Sequence, residues 1–260
     1  MTDPLDEMLA AREAEIARHA GLRRQEPFAS HTKRLSRLTM GFCFAMDAMW
    51  LTSARGREFF EEFLTFRLVD DQLQSSIAIL SLAGEGQLTA ARRELRYMVE
   101  ACTKHVYVDL KEIGKSFADK LTYLETAVPR SSISFVEDFR LYQFTDDENK
   151  LFMDDIRGTY SELCKYVHRS PQQIQETLGQ INRGIFLGFE TADELQLFVR
   201  LLARAYDLIL VMHFNALGMA LTGDVFTRVL DQNREWPFHR TKFVKLLSAY
   251  FDYKFERQTR

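Results

Sequence analysis

Two stretches of this sequence carry polar side chains whose types and spacing suit phosphate chemistry. Arg96 and Glu100 stand four residues apart in "ARRELRYMVEACTKHVYV", and His168 closes the apolar pattern of "YSELCKYVHRS". The planar fork of an arginine holds two phosphate oxygens, and a histidine with its usual pKa of about 6.5 takes and gives a proton near neutral pH. These residue types indicate Arg96 as a phosphate contact, Glu100 as the carboxylate that orients it, and His168 as an acid or base.

Three more side chains are candidate substrate contacts. Tyr107 follows the arginine and the glutamate along one flank of their helix, and Arg157 and Lys165 belong to the helix that ends at His168. A structural interpretation also stays open for the whole set. An arginine and a glutamate at i and i+4 pair on a helix surface, which stabilises the helix by about 0.2 to 0.5 kcal/mol. A lone histidine at a helix C-terminus is more often a favourable charge for the helix dipole than a catalyst.

Two other segments are rich in basic side chains. "SHTKRLSR" contains His31, Lys33, Arg34 and Arg37, and residues 238–260 interleave basic and aromatic residues in "FHRTKFVKLLSAYFDYKFERQTR". Such segments usually form the solvated face of an amphipathic helix, but they also suit the phosphates and bases of single-stranded RNA. The net charge of −3 disfavours a general coating of nucleic acid, so any RNA contact must be local.

Motifs for several other chemistries are missing from the sequence. It contains no HExxH, EF-hand loop, glycine-rich phosphate loop or GxSxG elbow, so we expect neither a metal nor another cofactor. Cys43, Cys102 and Cys164 are odd in number and far apart, as is typical of free thiols in a reducing cytoplasm. The N-terminus has no apolar signal core, and the longest apolar segment is interrupted by Asp207 and His213, so no membrane span is predicted.

The pattern predicts helices almost throughout, because only 12 glycines and 5 prolines interrupt the chain and no alternating strand pattern persists. Three helix starts carry capping signals, at Thr145 with Glu148, Ser170 with Pro171, and Thr191 with Glu194. The predicted helices cover residues 4–25, 30–55, 58–83, 88–113, 116–127, 131–143, 146–168, a helix from 171, then 192–221, 223–233 and 237–256.

These elements predict an all-α, single-domain helical bundle of mostly up-and-down antiparallel helices. Short connections such as the one around Gly86 make consecutive helices antiparallel neighbours. Residues 1–28 are charged and have modest apolar content, which is typical of a helical arm that lies on the domain or on a partner. Residues 29–260 are the predicted bundle.

The quoted motifs resemble those of a known group of proteins. "YSELCKYVHRS", from Tyr160 to Ser170, resembles the Tyr-x-x-Leu-Ser-x-x-x-His-x-Ser motif of HEPN-like bacterial proteins of unknown function. The segment with Arg96 and Glu100 resembles the Leu-Arg-x-x-x-Glu segment that precedes that motif. The resemblance implies an HEPN-like core at residues 58–183 and a bundle that often dimerises. In active branches it implies a metal-independent ribonuclease of toxin-antitoxin or anti-phage systems.

This sequence departs from the active HEPN pattern at one position that matters for catalysis. Active members carry Arg-x(4–6)-His, in which the arginine stabilises the phosphate and the histidine moves a proton during attack by the RNA 2′-hydroxyl. Positions 161–163 hold Ser, Glu and Leu here, and the nearest upstream arginine is Arg157. Arg96 or Lys165 would have to replace the missing arginine in space, and Arg96 is better suited because of its fork. The alternative function is a non-catalytic adaptor, sensor or immunity protein that binds a protein partner through the charged N-terminal helix or an aromatic-rich face.

Overall fold

The computed structural model describes residues 3–138, 140–167, 170–182 and 190–251, without the side chains of Phe60 and Gln180. All regular structure in these ranges is helical, so the prediction of an all-α helical bundle is confirmed. The twelve α-helices of the described ranges are α1 Pro4–Arg23, α2 Phe28–Ser53, α3 Arg57–Glu61, α4 Leu64–Arg67, α5 Val69–Gly84, α6 Leu88–Lys111, α7 Phe117–Thr126, α8 Asp146–Cys164, α9 Pro171–Asn182, α10 Ala192–Leu217, α11 Met219–Val225 and α12 Lys242–Ser248.

The three helix starts predicted from capping signals are confirmed. The Thr145 hydroxyl accepts from the backbone N–H of Glu148, whose carboxylate accepts from the backbone N–H of Thr145, so both halves of a capping box are present at α8. The same box forms at α10. At α9 the Ser170 hydroxyl accepts from the backbone N–H of Gln173, and Pro171 is the first helical residue. These starts are readable because each helix supplies its own cap.

The core is centred on α10, which is buried along nearly its whole length. The aromatic rings of Phe42 on α2 and Tyr206 on α10 stack with centroids 4.2 Å apart. The apolar stripes of α6 and α8 pack against the same core. In each of these helices the buried residues recur every three to four positions, so the polar residues lie together on the flank of the apolar stripe. The polar flanks of α6 and α8 therefore meet along one shared border.

The predicted helix over 58–83 is wrong, because the chain breaks into α3, α4 and α5 there. The carboxylate of Asp109 on α6 accepts from the backbone N–H groups of Leu64 and Thr65, both at 2.9 Å. A residue of another helix therefore caps the start of α4. The Lys120 ammonium on α7 pairs with the same carboxylate at 3.1 Å, and both side chains are 1% exposed. A buried ion pair distant in sequence therefore decides where this helix begins.

The predicted helix over 131–143 is also wrong, since its described residues form only a 3₁₀ turn, Ser134–Asp138, and irregular chain. The Asn149 amide on α8 donates to the carbonyls of Leu141, Phe144 and Thr145, and it accepts from the backbone N–H of Leu141. Those bonds satisfy backbone groups that a helix would otherwise pair.

Other helices end or begin at positions that differ from the predicted bounds. α8 ends at Cys164, so the prediction of a helix to 168 is too long by at least the turn at 165–167. α10 ends at Leu217 instead of 221 because Gly218 takes a φ of +82°, which only glycine adopts readily. The predicted 223–233 helix is split between α11 and a π-helical turn, Phe226–Leu230.

The C-terminal prediction of a helix over 237–256 is confirmed only in α12. Residues 237–241 form turns and a bend in place of the first part of that helix, residues 249–251 form a turn and a bend after α12, and residues 252–256 lie outside the described ranges. Within the described ranges no helix is long and apolar enough to cross a membrane.

Candidate functional site

The Arg96 and Glu100 side chains on α6 face Tyr160 and Cys164 on α8. Both pairs have a spacing of four residues, so each helix presents two stacked side chains to the other. Arg96 Nη1 lies 3.0 Å from Glu100 Oε2, which confirms that the two residues pair with each other along α6. We refer to these four residues, together with Lys104, as the Arg96 cluster.

The Arg96 guanidinium uses each of its nitrogens within this cluster. Its Nη2 donates to the Tyr160 hydroxyl at 2.6 Å, and its Nε donates to the Cys164 sulfur at 3.3 Å. Its Nη1 pairs with Glu100, and the side chain is only 15% exposed. A phosphate group that bound Arg96 would compete with these three partners.

Glu100 is held from the opposite side as well. Lys104 Nζ donates to Glu100 Oε1 and to the Arg130 carbonyl, both at 2.6 Å. The Tyr160 hydroxyl lies 3.2 Å from both Glu100 Oε2 and the Ser131 carbonyl. The cluster therefore joins α6, α8 and the segment at 130–131 through charge-assisted hydrogen bonds, which are stronger than bonds between neutral groups.

The cluster favours a fixed set of protonation states. Burial, followed by the negative charge of Glu100, raises the pKa of the Tyr160 hydroxyl, so this tyrosine stays protonated at neutral pH. Burial lowers the pKa of Arg96, but its bond to Cys164 and the charge of Glu100 outweigh that effect and leave the pKa raised. Arg96 therefore stays cationic, and neither group is prepared to exchange a proton near pH 7.

None of the other described site residues is hydrogen-bonded or ion-paired to the Arg96 cluster. The Tyr107 ring is buried against the ring of Phe135, with centroids 4.5 Å apart. Burial, with a hydrogen bond to Tyr123, raises its pKa to about 12. Arg157 pairs with Glu137 at 2.8 Å and with Asp154 at 2.7 Å. Lys165 is exposed just after α8.

His168 lies outside the described residues, so the structure gives no geometry for the predicted acid or base. Tyr160 and Cys164, which the sequence places in the apolar stripe of α8, are the direct partners of Arg96 instead. The sequence contains a signal for this contact, because Tyr160 and Cys164 are four residues apart on one helix, as Arg96 and Glu100 are on another. Which two helices face each other is not encoded in that spacing.

A second candidate site is a groove of about 520 Å³ between α2, α10 and the segment at 237–241. Its basic side chains come from one flank of α2, beside the buried stripe of Leu35, Leu38 and Phe42. The groove, here called the cationic groove, is lined by Ser30, Lys33, Arg34, Arg37, Leu38, Ala203, Pro237 and Thr241.

The cationic groove differs in charge from the other large grooves of the described chain. Three of its lining residues are basic and none is acidic. Arg37 Nη2 donates to the Glu235 carbonyl at 3.0 Å, and the exposed Glu235 carboxylate lies 3.7 Å away, while Lys33 and Arg34 are exposed. A groove of about 490 Å³ beside α9 instead balances its charges, with Arg92, Arg200 and Arg204 beside Glu162, Glu176 and Glu194.

Close packing fixes one wall of the cationic groove. Gly41 on α2 lies directly under Pro237, and a Cβ atom on this glycine would come within 2.5 Å of the proline ring. The Trp236 indole N–H donates to the Gly41 carbonyl at 2.8 Å. The segment at 237–241 is therefore held against α2 at a distance that only a glycine permits.

No cluster of three or more His, Cys, Asp or Glu side chains suited to a metal ion occurs within the residues for which coordinates are described. The comparisons with known proteins gave no match: no protein-family model, curated protein or solved structure is similar to this chain.

Proposed function

We propose that this protein is an HEPN-like helical bundle that binds RNA, and that the cationic groove holds the phosphate backbone of a single strand. The observation that carries the proposal is the groove lined by three basic side chains and by no acidic one among the described residues. Phosphate contacts dominate the affinity of proteins for nucleic acids, and a basic groove that follows the backbone is the usual arrangement for single strands.

The arrangement of the groove supports a strand that binds lengthwise. Ser30, Arg34 and Arg37 are spaced by four and three residues, so they lie in a row along α2. The half-buried Pro237 also lines the groove and offers an apolar surface on which a base can pack. Arg240, next to the groove-lining Thr241 in the chain, is exposed and adds a further positive charge nearby.

In the catalytic form of this proposal the protein is a metal-independent endoribonuclease. His168 transfers the proton, and Arg96 leaves its partners in the cluster to contact the scissile phosphate. Membership of a toxin-antitoxin or anti-phage system follows from the resemblance and stays a prediction. This form expects the purified protein to cleave total RNA and the His168→Ala variant not to. Intact RNA with both proteins, or equal cleavage by both, contradicts the catalytic form and leaves RNA binding standing.

RNA binding is tested by fluorescence anisotropy with labelled single-stranded RNA over a series of salt concentrations. The triple variant Lys33→Ala, Arg34→Ala, Arg37→Ala should bind more weakly at every salt concentration. Its plot of log affinity against log salt should be shallower by about 2, since each lost single-strand phosphate contact removes about 0.7.

A control variant with the same loss of charge separates the groove from a general effect. Lys111, Lys115 and Lys150 are exposed and do not line the groove, so replacing all three with alanine removes three positive charges elsewhere. This control should bind RNA nearly as well as the unaltered protein. Equal loss in the two variants, or no binding by the unaltered protein at low salt, overturns the proposal.

A second candidate function is favoured by a separate observation on α1. Leu5, Met8 and Leu9 are more than half exposed on the first half of this helix, where an apolar side chain costs solubility and gains nothing unless it is covered. A non-catalytic adaptor, sensor or immunity protein would bind its protein partner there. Deleting residues 1–26 would then abolish complex formation and leave the bundle folded, whereas unchanged partner binding by the deletion variant contradicts this function.

A further inference from the structure

Helix α9 turns its polar side to the bundle and its apolar side to solvent. Ile174, Leu178 and Ile181 are 46%, 45% and 47% exposed, and their spacing at i, i+4 and i+7 places them on one side of the helix. On the other side Gln173 is buried and Glu176 is half-buried. An amphipathic helix of a folded domain usually buries its apolar stripe, so the reversal in α9 indicates that the surface beneath it is polar.

That surface is a charged groove. Its volume is about 490 Å³, Glu176 of α9 lines it, and we call it the α9 groove. Its charged lining consists of three arginines and three glutamates: Arg92, Arg200, Arg204, Glu162, Glu176 and Glu194. The formal net charge of this lining is therefore zero. Covering these groups with an apolar stripe would remove their hydration without giving them partners, which is why the polar side of α9 faces them.

Arg92, one turn before Arg96 on α6, keeps part of its fork for a ligand. Its side chain is buried, with Cζ 4.3 Å from the centroid of the Tyr166 ring and Nη1 3.3 Å from Glu176 Oε2. Its Nε and Nη2 have no hydrogen bond within the described ranges, whereas every nitrogen of the Arg96 guanidinium has a partner. Two adjacent donors of this kind match the two oxygens of a carboxylate.

The two arginines of α10 also keep donors that the described chain does not use. Arg204 Nη2 donates to Glu162 at 2.6 Å, but its buried Nε has no hydrogen-bond partner among the described residues. Arg200, four residues earlier, is exposed and has no hydrogen bond or ion pair to any residue that the structure describes. Because buried donors are nearly always paired, the spare donors of Arg92 and Arg204 indicate a ligand with acceptor oxygens.

Glu162 keeps one carboxylate oxygen for a ligand of the opposite kind. Its Oε2 accepts from Arg204, while its Oε1 has no partner in the described part of the chain. Glu194 differs, because its carboxylate accepts from the backbone N–H of Thr191 and so caps its own helix. The half-buried Glu162 is therefore the carboxylate of this groove best placed to accept from a ligand ammonium.

The charges around the groove favour one orientation of such a ligand. A neighbouring groove of about 420 Å³ shares Arg92 with the α9 groove and adds Arg12, Arg93 and Glu190. Glu190 is paired with the buried Arg23. Positive charge is therefore in excess on the Arg92 side, which suits the negative end of a ligand, and Glu162 lines only the α9 groove.

We propose that the α9 groove binds a small zwitterion, an α-amino acid with an apolar side chain. Arg92 and Arg200 bind its carboxylate and Glu162 binds its ammonium. Leu197, which lines the groove and is 58% exposed, packs against its side chain. A zwitterion leaves the groove neutral, whereas a phosphate would face three glutamates and a polyamine would face three arginines. The inference goes beyond RNA binding and does not depend on it, because the α9 groove and the cationic groove share no lining residue.

Isothermal titration calorimetry on the full chain without RNA tests the class of ligand. The probes are L-leucine, L-methionine and L-phenylalanine, and at least one should bind saturably. Analogues of the best probe that lack the ammonium or the carboxylate should bind about tenfold more weakly or worse; for leucine these are isocaproate and isoamylamine. No binding of any of the three amino acids, equal binding of an analogue, or tighter binding of inorganic phosphate overturns the proposal.

Single variants test the roles of the groove residues. Arg200→Ala should weaken binding of the amino acid and of its deaminated analogue alike, by about tenfold. Glu162→Gln removes the charge that holds the ammonium, so it should weaken the amino acid and leave the deaminated analogue unchanged. Arg234→Ala is the matched control, because Arg234 is exposed and lies outside the groove.

Circular dichroism verifies that all three variants stay folded. They should also bind single-stranded RNA as the unaltered protein does, so a failure of this proposal is distinct from a failure of RNA binding. Amino-acid binding by Arg200→Ala that equals that of the control overturns the proposal. The same holds if Glu162→Gln weakens the amino acid and its deaminated analogue equally.

Discussion

At the scale of single residues, Arg96 shows how a side chain suited to phosphate binding can instead bind groups within its own protein. Its guanidinium contacts Glu100, Tyr160 and Cys164, and through them it joins α6 to α8. Hydrogen bonds to a charged group contribute about 1.5 to 3 kcal/mol when one partner is removed. The arrangement therefore favours a structural role for this arginine over a role as a free phosphate contact.

We expect Arg96→Ala to lower the free energy of unfolding by about 2 kcal/mol, because Glu100 and Tyr160 lose their shared partner in a half-buried site. Affinity for single-stranded RNA should stay unchanged, since the cationic groove lies on α2. Urea unfolding followed by circular dichroism measures the first quantity, and anisotropy measures the second.

The control for this variant is Arg57→Ala. Arg57 pairs with Glu61 on the surface, with side chains 91% and 59% exposed, so its loss should cost at most about 1 kcal/mol. If Arg96→Ala is as mild as this control and weakens RNA binding instead, Arg96 acts as a ligand contact and the structural interpretation is wrong.

At the scale of helices, a helix start can be predicted from the sequence where the cap belongs to the helix itself. Thr145 and Thr191 cap their own helices within four residues, and both starts were predicted correctly. α4 begins at the carboxylate of Asp109, and α12 begins at the carboxylate of Asp207. Those acids lie 45 and 37 residues away in the chain, so only the packing of helices shows which groups they satisfy.

We expect Asp207→Asn to loosen α12 selectively. Asp207 on α10 accepts from the backbone N–H groups of Phe243 and Val244, both at 2.9 Å, and from the Thr241 hydroxyl at 2.6 Å. An asparagine has one accepting oxygen in place of two, so donors lose their partner at a cost of about 1 to 3 kcal/mol. Hydrogen exchange should quicken at the amides of Phe243 and Val244.

Ser116→Ala provides the comparison for this change. The exposed Ser116 hydroxyl caps α7, and its removal should cost about 1 kcal/mol without affecting α12. Unaltered exchange at α12 in the Asp207→Asn protein would mean that the packing of Phe243 and Val244 holds this helix without the carboxylate.

At the scale of the whole molecule, buried histidines make stability depend on pH. Burial is the largest cause that lowers the pKa of His19, His105 and His213 from 6.5 to about 4. The unfolded chain therefore binds protons between these values while the folded chain does not. The contribution of these histidines to stability is complete above about pH 6.5 and is lost as the pH is lowered towards 4, because their protonation favours the unfolded state.

We expect His213→Gln to make the loss of stability with acid less steep. His213 is 1% exposed, and its Nδ1 donates to the Ile209 carbonyl at 2.9 Å, a bond that a glutamine amide can keep. Its share of the loss between pH 6.5 and pH 4 is about 3 kcal/mol. Urea unfolding at a series of pH values measures this, and curves that stay parallel for the two proteins contradict it.

The sequence by itself determined that this chain is all-α, that Thr145, Ser170 and Thr191 begin helices, and that Arg96 and Glu100 pair. Each of these results depends on residues within about one or two helical turns, whose side chains meet through the helical repeat alone. The sequence also marked Lys33, Arg34 and Arg37 as a basic cluster, because neighbours on one helix share a face.

The tertiary structure alone decided which helix faces which, and so which partners each polar group finds. The packing of the helices places Tyr160 and Cys164 against Arg96. It also lets acids distant in the sequence cap α4 and α12, and it places Pro237 against Gly41 to form a wall of the cationic groove. The physical reason is that a polar group must be satisfied wherever packing buries it, and packing is determined by the apolar faces of all the helices together.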